Sequence, residues 1–147
     1  MRRPKLSAEE GSASLEFITA GVILLVPSVY LVLAISTVQS ATFAVEGAAR
    51  QAARVFVTSD SVEVAQARAD QAIAFGFSDY GLDSGHAEVS VRCSESNCLS
   101  PDSLVTIDVR TVVAMPLIPP ILGLNQVALV PVSSSSTAHV SRFHGAS

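Results

Sequence analysis

The residues of this sequence whose types and spacing could do chemistry fall in two places. The first is Gly11-Ser12-Ala13-Ser14-Leu15-Glu16-Phe17, which runs directly into the uncharged apolar stretch 17–35. A carboxylate at the mouth of a hydrophobic helix is costly. Charged side chains at mid-bilayer cost on the order of 2.5–3.5 kcal/mol on insertion scales, and less near an interface. Glu16 can open the helix at the interface, where a negative charge suits the helix dipole. The second place is Cys93 and Cys98, a C-x4-C pair bracketing a polar turn. A local disulfide that staples the turn, a zinc site with His86 as third ligand, and free thiols are the alternatives. The scattered His86, His139 and His144 leave a zinc site short of a full ligand set. No G-x-S-x-G, phosphate loop or H-E-x-x-H occurs, and the carboxylates are not paired by motif. The sequence therefore argues against an enzyme and calls for no cofactor and no metal.

Hydrophobic residues make up 49 % of the chain against 15 % charged, and the stretch 17–35 causes much of that excess. Crossing a bilayer takes roughly 20 apolar helical residues, so the stretch reads as a membrane span and the lipid bilayer as a partner. Arg2, Arg3 and Lys5 precede it, which puts the N-terminus in the cytoplasm and everything after about Ser36 outside. The net charge of −4, with no basic stripe beyond the first five residues, excludes a nucleic-acid binder. A cleaved secretory signal has a shorter apolar core, roughly 7–15 residues, and a small-residue cleavage site. A twin-arginine signal would use Arg2-Arg3, although Pro4-Lys5-Leu6 fits it poorly. A plain signal anchor explains the charges and the length, but not Glu16.

The elements that must position these residues follow from periodicity. Val38, Ala41, Val45, Ala48, Ala52 and Val55 keep a period near 3.6, so one helix is expected over 14–57. Its first half is transmembrane. Pro27 should kink it, and Gly21 and Gly47 allow close packing. Glu46, Arg50 and Arg54 share another face at i, i+4, i+8. The alanine-rich face packs either on the protein's own sheet or on a neighbouring subunit. Ser59 or Asp60 caps a second helix, with Glu63 in the capping-box position for Asp60. This helix runs to about Phe75, with Ala65, Ala69, Ala72 and Ile73 as its apolar stripe, and Gly76 and Gly81 end it. Alternation of period two then marks strands at 86–93 and 104–112, joined by turn residues as a hairpin. A third strand is expected at 127–132, with a continuation at 137–140. The order gives an α+β fold: a long N-terminal helix, a second helix and a small antiparallel sheet of about three strands. The apolar, proline-rich connector 115–124 is a loop over the core or a partner-binding loop. The serines of 133–136 form a short run of their own, and the tail 143–147 is expected to be disordered.

The start of the chain resembles the class III signal of type IV prepilins: a short basic leader, Gly at −1, a small residue at +1 and Glu at +5. Here these are Gly11, Ser12 and Glu16. The continuation, with Glu16-Phe17, Pro27, Ala48-Ala49-Arg50 and Ala52-Ala53-Arg54, resembles the TadE family of pilin-like proteins from tight-adherence (Flp-type) pilus systems. The likeness covers residues 11–57. It implies a leader 1–11 removed by a prepilin peptidase after Gly11, a retained helix 12–57 and an extracytoplasmic domain 58–142. It further implies assembly through Glu16 and Phe17, with the Glu of one subunit pairing with the free N-terminus of the next. The partners would be other pilin-like subunits and an inner-membrane platform with its cytoplasmic ATPase. The product would be a minor subunit in, or at the base of, a surface pilus. The alternative is an unprocessed single-pass protein that displays a small binding domain.

Overall fold

The structure is a computed structural model. It describes the backbone of residues 10–117 and 129–145, and the side chains of residues 13–117 and 129–145. Arg2, Arg3, Lys5 and Glu9 of the leader, residues 118–124 of the connector and Val127 at the expected start of the third strand lie outside the described residues. The fold is α+β: helix α1 (Glu10–Val57), helix α2 (Val62–Ser78), and strands β1 (Glu88–Cys93), β2 (Leu104–Ala114) and β3 (Leu129–His139). The chain divides into two units, Met1–Ile35 and Ser36–Ser147.

In the second unit, the alanine-rich face of α1 packs within its own domain. Ala41, Ala44, Val45, Ala48, Ala49, Ala52, Ala53 and Phe56 are all buried. Most of them join Ala65, Ala69, Ile73 and Phe77 of α2 and Val105, Ile107, Val109, Val113 and Val132 of the sheet in one core. Burying Phe56 and Phe77 fully contributes about 1.5–3 kcal/mol each. Arg50 and Glu46 form the expected i,i+4 ion pair on the exposed face of α1, a solvated contact worth little to stability.

The second helix differs from expectation at both ends. Its N-cap is Ser61, whose Oγ accepts from the Val64 N–H at 3.3 Å. Ser59 instead closes α1, donating its hydroxyl to the Val55 carbonyl at 2.7 Å, and is buried. Three adjacent residues could cap; the end of α1 takes Ser59 and leaves Ser61. Glu63 therefore falls in the first turn rather than at a capping-box position. Its own backbone N–H and the Ser61 hydroxyl hold its carboxyl below the usual range. At the other end, α2 passes through Gly76 and ends near Ser78. Gly81 follows at φ +67°, with Gly81 N–H bound to the Ser78 carbonyl and Leu82 N–H to the Phe77 carbonyl, both at 3.0 Å. This is the Schellman arrangement, and its left-handed residue favours glycine.

The sheet is an antiparallel meander in the order β1-β2-β3. β2 alternates cleanly: Val105, Ile107, Val109, Thr111 and Val113 face the core, and the residues between them face outwards. Residues 86 and 87, expected to begin the first strand, precede it. Ser84–His86 forms a 3-10 turn because the Asp83 carboxylate accepts from the Gly85 N–H at 2.9 Å. The third strand is one continuous element, so residues 133–136 are strand and not a break between two pieces. Ser133, Ser134, Ser135 and Ser136 lie opposite Arg110, Val109, Asp108 and Ile107. Serine on both faces erased the period-two signal, while pairing with β2 kept the strand extended. The tail is described as far as Gly145, and residues 142–145 form a turn with His144 N–H bound to the Ser141 carbonyl at 3.0 Å.

On the outer face, Asp108 Oδ2 accepts from Arg92 Nη2 at 2.7 Å and Arg92 Nε at 2.9 Å. The Ser135 hydroxyl opposite it, and then Arg92, hold its carboxyl below the usual range.

A Cβ at position 76 would lie 3.1 Å from the Ala48 Cβ and 3.3 Å from its Cα, whereas one at Gly47 would meet nothing within 4 Å. Gly→Ala in a helix interior ordinarily gains about 0.5–1 kcal/mol, and overpacking costs about 1–3 kcal/mol. Gly47→Ala should therefore raise the denaturant midpoint of the detergent-solubilised chain and Gly76→Ala lower it. A rise for both would mean that the two helices part without cost. Asp108 makes the outer face sensitive to pH. Its folded-state pKa lies below the unfolded value of about 3.9, so its ionised form stabilises the fold above that value. The contribution fades as pH falls through the lower, folded-state pKa. Asp108→Asn should lower the melting temperature at neutral pH and cost progressively less below about pH 4. A loss independent of pH would assign the effect to packing.

Candidate membrane-spanning and assembly helix

The first unit is helix α1 as far as Ile35. Leu15, Phe17, Ile18, Val22, Ile23, Leu24, Leu25 and Val26 are each more than half exposed. In the most apolar window, mean hydropathy reaches 2.5 and no residue is buried by the rest of the chain. Among the described residues this is the one helix long and apolar enough to cross a membrane. A soluble domain buries its apolar helix face; this segment is apolar on every side, and bulk hydrocarbon suits it.

The helix begins at Glu10, so Gly11 and Ser12 already have helical backbone. Ser12 and Glu16 stand at i, i+4, which places them on one face a turn apart. Glu16 is exposed and lines a shallow recess with Leu15, Thr19, Ala20 and Ile23. Phe17, next to it, is 79 % exposed. The helix thus brings Gly11, Ser12, Glu16 and Phe17 together within two turns.

Pro27 lies inside α1, and the helix continues through it. Having no N–H, Pro27 cannot donate to the Ile23 carbonyl, the usual i−4 acceptor. One residue on, the Ser28 hydroxyl donates to the Leu24 carbonyl at 2.7 Å.

Cys93 and Cys98 lie in the second unit and are bonded as a disulfide. Cys93 ends β1, and the bridge closes the turn leading to β2. The turn is further fixed by Ser94 N–H to the Leu104 carbonyl at 3.0 Å and by the Ser103 hydroxyl to the Cys98 carbonyl at 2.8 Å. Asp102, at φ +63°, carries the chain back into β2. His86 lies beside Asp83, with Nδ1 at 3.2 Å from its Oδ2. Among the described residues, no three of His, Cys, Asp and Glu gather as metal ligands.

One feature of the second unit escaped sequence reasoning. Phe43, Phe75 and Tyr80 line a groove of about 570 Å³ beside Ala48 and Gly76, where α1 and α2 approach closely. The available signal was Phe43 itself, a large apolar residue off the Ala41, Val45, Ala48 stripe. No family model, curated protein or solved structure matches the chain.

Proposed function

We propose that the chain is a pilin-like minor subunit of the tight-adherence type, anchored by residues 17–35 and cleaved after Gly11. It assembles through α1 into, or at the base of, a surface pilus. The observation that carries this reading is an exposed apolar helix with a carboxylate, Glu16, directly at the mouth of its uncharged stretch. Cleavage would leave an α-ammonium at Ser12. Between neighbouring subunits, Glu16 of one chain would meet the Ser12 ammonium of the next. Pairing relieves the cost of a charge near hydrocarbon, so it favours the assembled state over the dispersed one. Phe17 and the apolar stripe after it would supply the lateral packing. The partners are a prepilin peptidase, further pilin-like subunits and the membrane platform that drives assembly. The N-terminus is cytoplasmic, and the disulfide-bearing domain faces the oxidising side.

The second reading, an unprocessed single-span protein displaying its α+β domain, is favoured by one observation. The Gly11–Ser12 bond lies inside the helix, and a peptidase that takes extended chain would have to unwind that turn first.

The N-terminal mass of the membrane-extracted protein separates the two. The pilin reading expects Ser12 as first residue in cells that carry the peptidase; an intact start at Met1, Arg2 or Arg3 sinks it. Glu16→Ala should still insert and be cleaved, yet drop out of the assembled fraction. Relief of even about 1.4 kcal/mol shifts such an equilibrium about tenfold. Unchanged incorporation would reduce Glu16 to a helix-start residue.

A further inference from the structure

The turn 94–103 sits where all three strands end. β1 stops at Cys93, β2 starts at Leu104, and the last ladder pair of β3 is His139 opposite Leu104. The Cys93–Cys98 bridge ties this turn to the end of β1. From Cys98 two hydrogen bonds lead on. The Cys98 carbonyl accepts the Ser103 hydroxyl at 2.8 Å, and the Ser103 carbonyl accepts the Val140 N–H at 2.9 Å. Ser103 and Val140 are both buried. Val140 lies one residue beyond the ladder, so this backbone bond takes over where pairing with β2 stops.

Val140 leads into the C-terminal turn. There the Phe143 N–H binds the Ser141 hydroxyl at 3.2 Å and the His144 N–H binds the Ser141 carbonyl at 3.0 Å. Ser141, Phe143, His144 and Gly145 line one recess with Thr58 and Asp60, which lie between α1 and α2. The connection thus passes from a covalent bond to the link between the helices. The turn is also seated by Leu99, which is buried and has its N–H on Asn97 Oδ1 at 3.1 Å. Residues 94–97 are exposed and both cysteines are half-buried, so a reductant can reach the bridge. A bridge that closes so short a loop stabilises little through the unfolded chain, because loop-closure entropy grows with length. Its loss is therefore felt as the opening of one part of the domain.

We propose that the disulfide is a redox-sensitive clasp that acts through Ser103 on the C-terminal segment. Closed, it holds residues 140–145 against the link between the helices. A dithiol opens it. One thiolate attacks a sulfur of the bridge, a mixed disulfide forms, and the second thiol of the reductant displaces the remaining cysteine. Two electrons and two protons pass to Cys93 and Cys98, and the reductant leaves as its own disulfide. Residues 94–103 and 140–145 then loosen together, while α2 and the middle of the sheet stay folded. The proposal depends neither on the membrane span nor on cleavage or pilus assembly.

Amide hydrogen exchange, read residue by residue by NMR on the full-length chain in detergent micelles, tests it with dithiothreitol as the dithiol. Reduction should accelerate exchange at least about tenfold at Leu99, Leu104 and Val140, and leave Ile73 of α2 and Val109 in the middle of β2 unchanged. Acceleration at Leu99 and Leu104 without Val140 overturns the proposal, since the bridge then staples only its own turn. Acceleration at all five overturns it as well, because the bridge then holds the whole domain, and so does no change at any of them. Ser103→Ala keeps the bridge and removes the hydroxyl on the Cys98 carbonyl. In that variant Val140 should exchange faster without any reductant, whereas an unchanged Val140 overturns the route through Ser103.

Discussion

Ala48 on α1 and Gly76 on α2 approach so closely that a Cβ at position 76 would stand 3.1 Å from the Ala48 Cβ. Much of the domain's construction follows from that contact. Two helices can come this near only where both carry small side chains. The core surface of α1 is therefore alanine at positions 41, 44, 48, 49, 52 and 53. A surface of methyl groups buries little area per residue. The large side chains come from the end of α1, at Phe56, and from beyond it, at Phe77 of α2 and the valines and isoleucine of β2. The core is accordingly lopsided, with a flat alanine floor under bulky residues. Gly76 fits the same logic: its helix-propensity cost is accepted because any side chain there would separate the helices.

The helices were legible because their hydrophobic period survives in the letters. Ala41, Val45, Ala48 and Ala52, and then Ala65, Ala69 and Ile73, mark the faces that the fold buries. Strands β1 and β2 were legible for the corresponding reason, an alternation of valine or isoleucine with polar residues. Legibility failed where side chains stopped reporting environment. Serines 133–136 look the same on the core face, at Ser134 and Ser136, as on the outer face, at Ser133 and Ser135. Only pairing with β2 makes them a strand. The cap of α2 failed differently. Ser59, Asp60 and Ser61 are all good caps, and the choice was settled by α1, whose end holds Ser59 and leaves Ser61 to cap. Of the candidate site, Glu16 and Pro27 could be read because each violates its surroundings, a charge and a missing donor in an apolar helix. Phe75 and Tyr80 could not, because their partner in the groove, Phe43, is far away in sequence.

The sheet divides its two faces between different tasks. The inner residues of β2 close the core. On the outer face, hydroxyls pair across strands, as Thr106 does with Thr137 at 2.8 Å, and Arg92 reaches diagonally to Asp108. The edges are unlike each other. β1 carries Glu88 and Arg92 and ends in a disulfide, whereas β3 carries no Asp, Glu, Lys or Arg and has Pro131 near its start. Charge and proline are two ordinary means of keeping an exposed edge from recruiting another strand.

The first half of α1 is apolar on all sides and the second half on one face. The change has to occur over residues that satisfy both rules. Residues 36–45 meet that demand by carrying no charge. Ala41, Ala44 and Val45 face the core. Thr42 folds its hydroxyl back onto the Val38 carbonyl at 2.8 Å, so its polar group is spent within the helix. Phe43 then presents a ring on the remaining side. Charge returns at Glu46, which is paired at once with Arg50. A charged residue placed earlier, at 42 or 43, would still fit the folded core, because those positions face outwards. The uncharged stretch is therefore longer than the core of the domain needs, and its excess length is the feature of the second unit that folding alone does not explain.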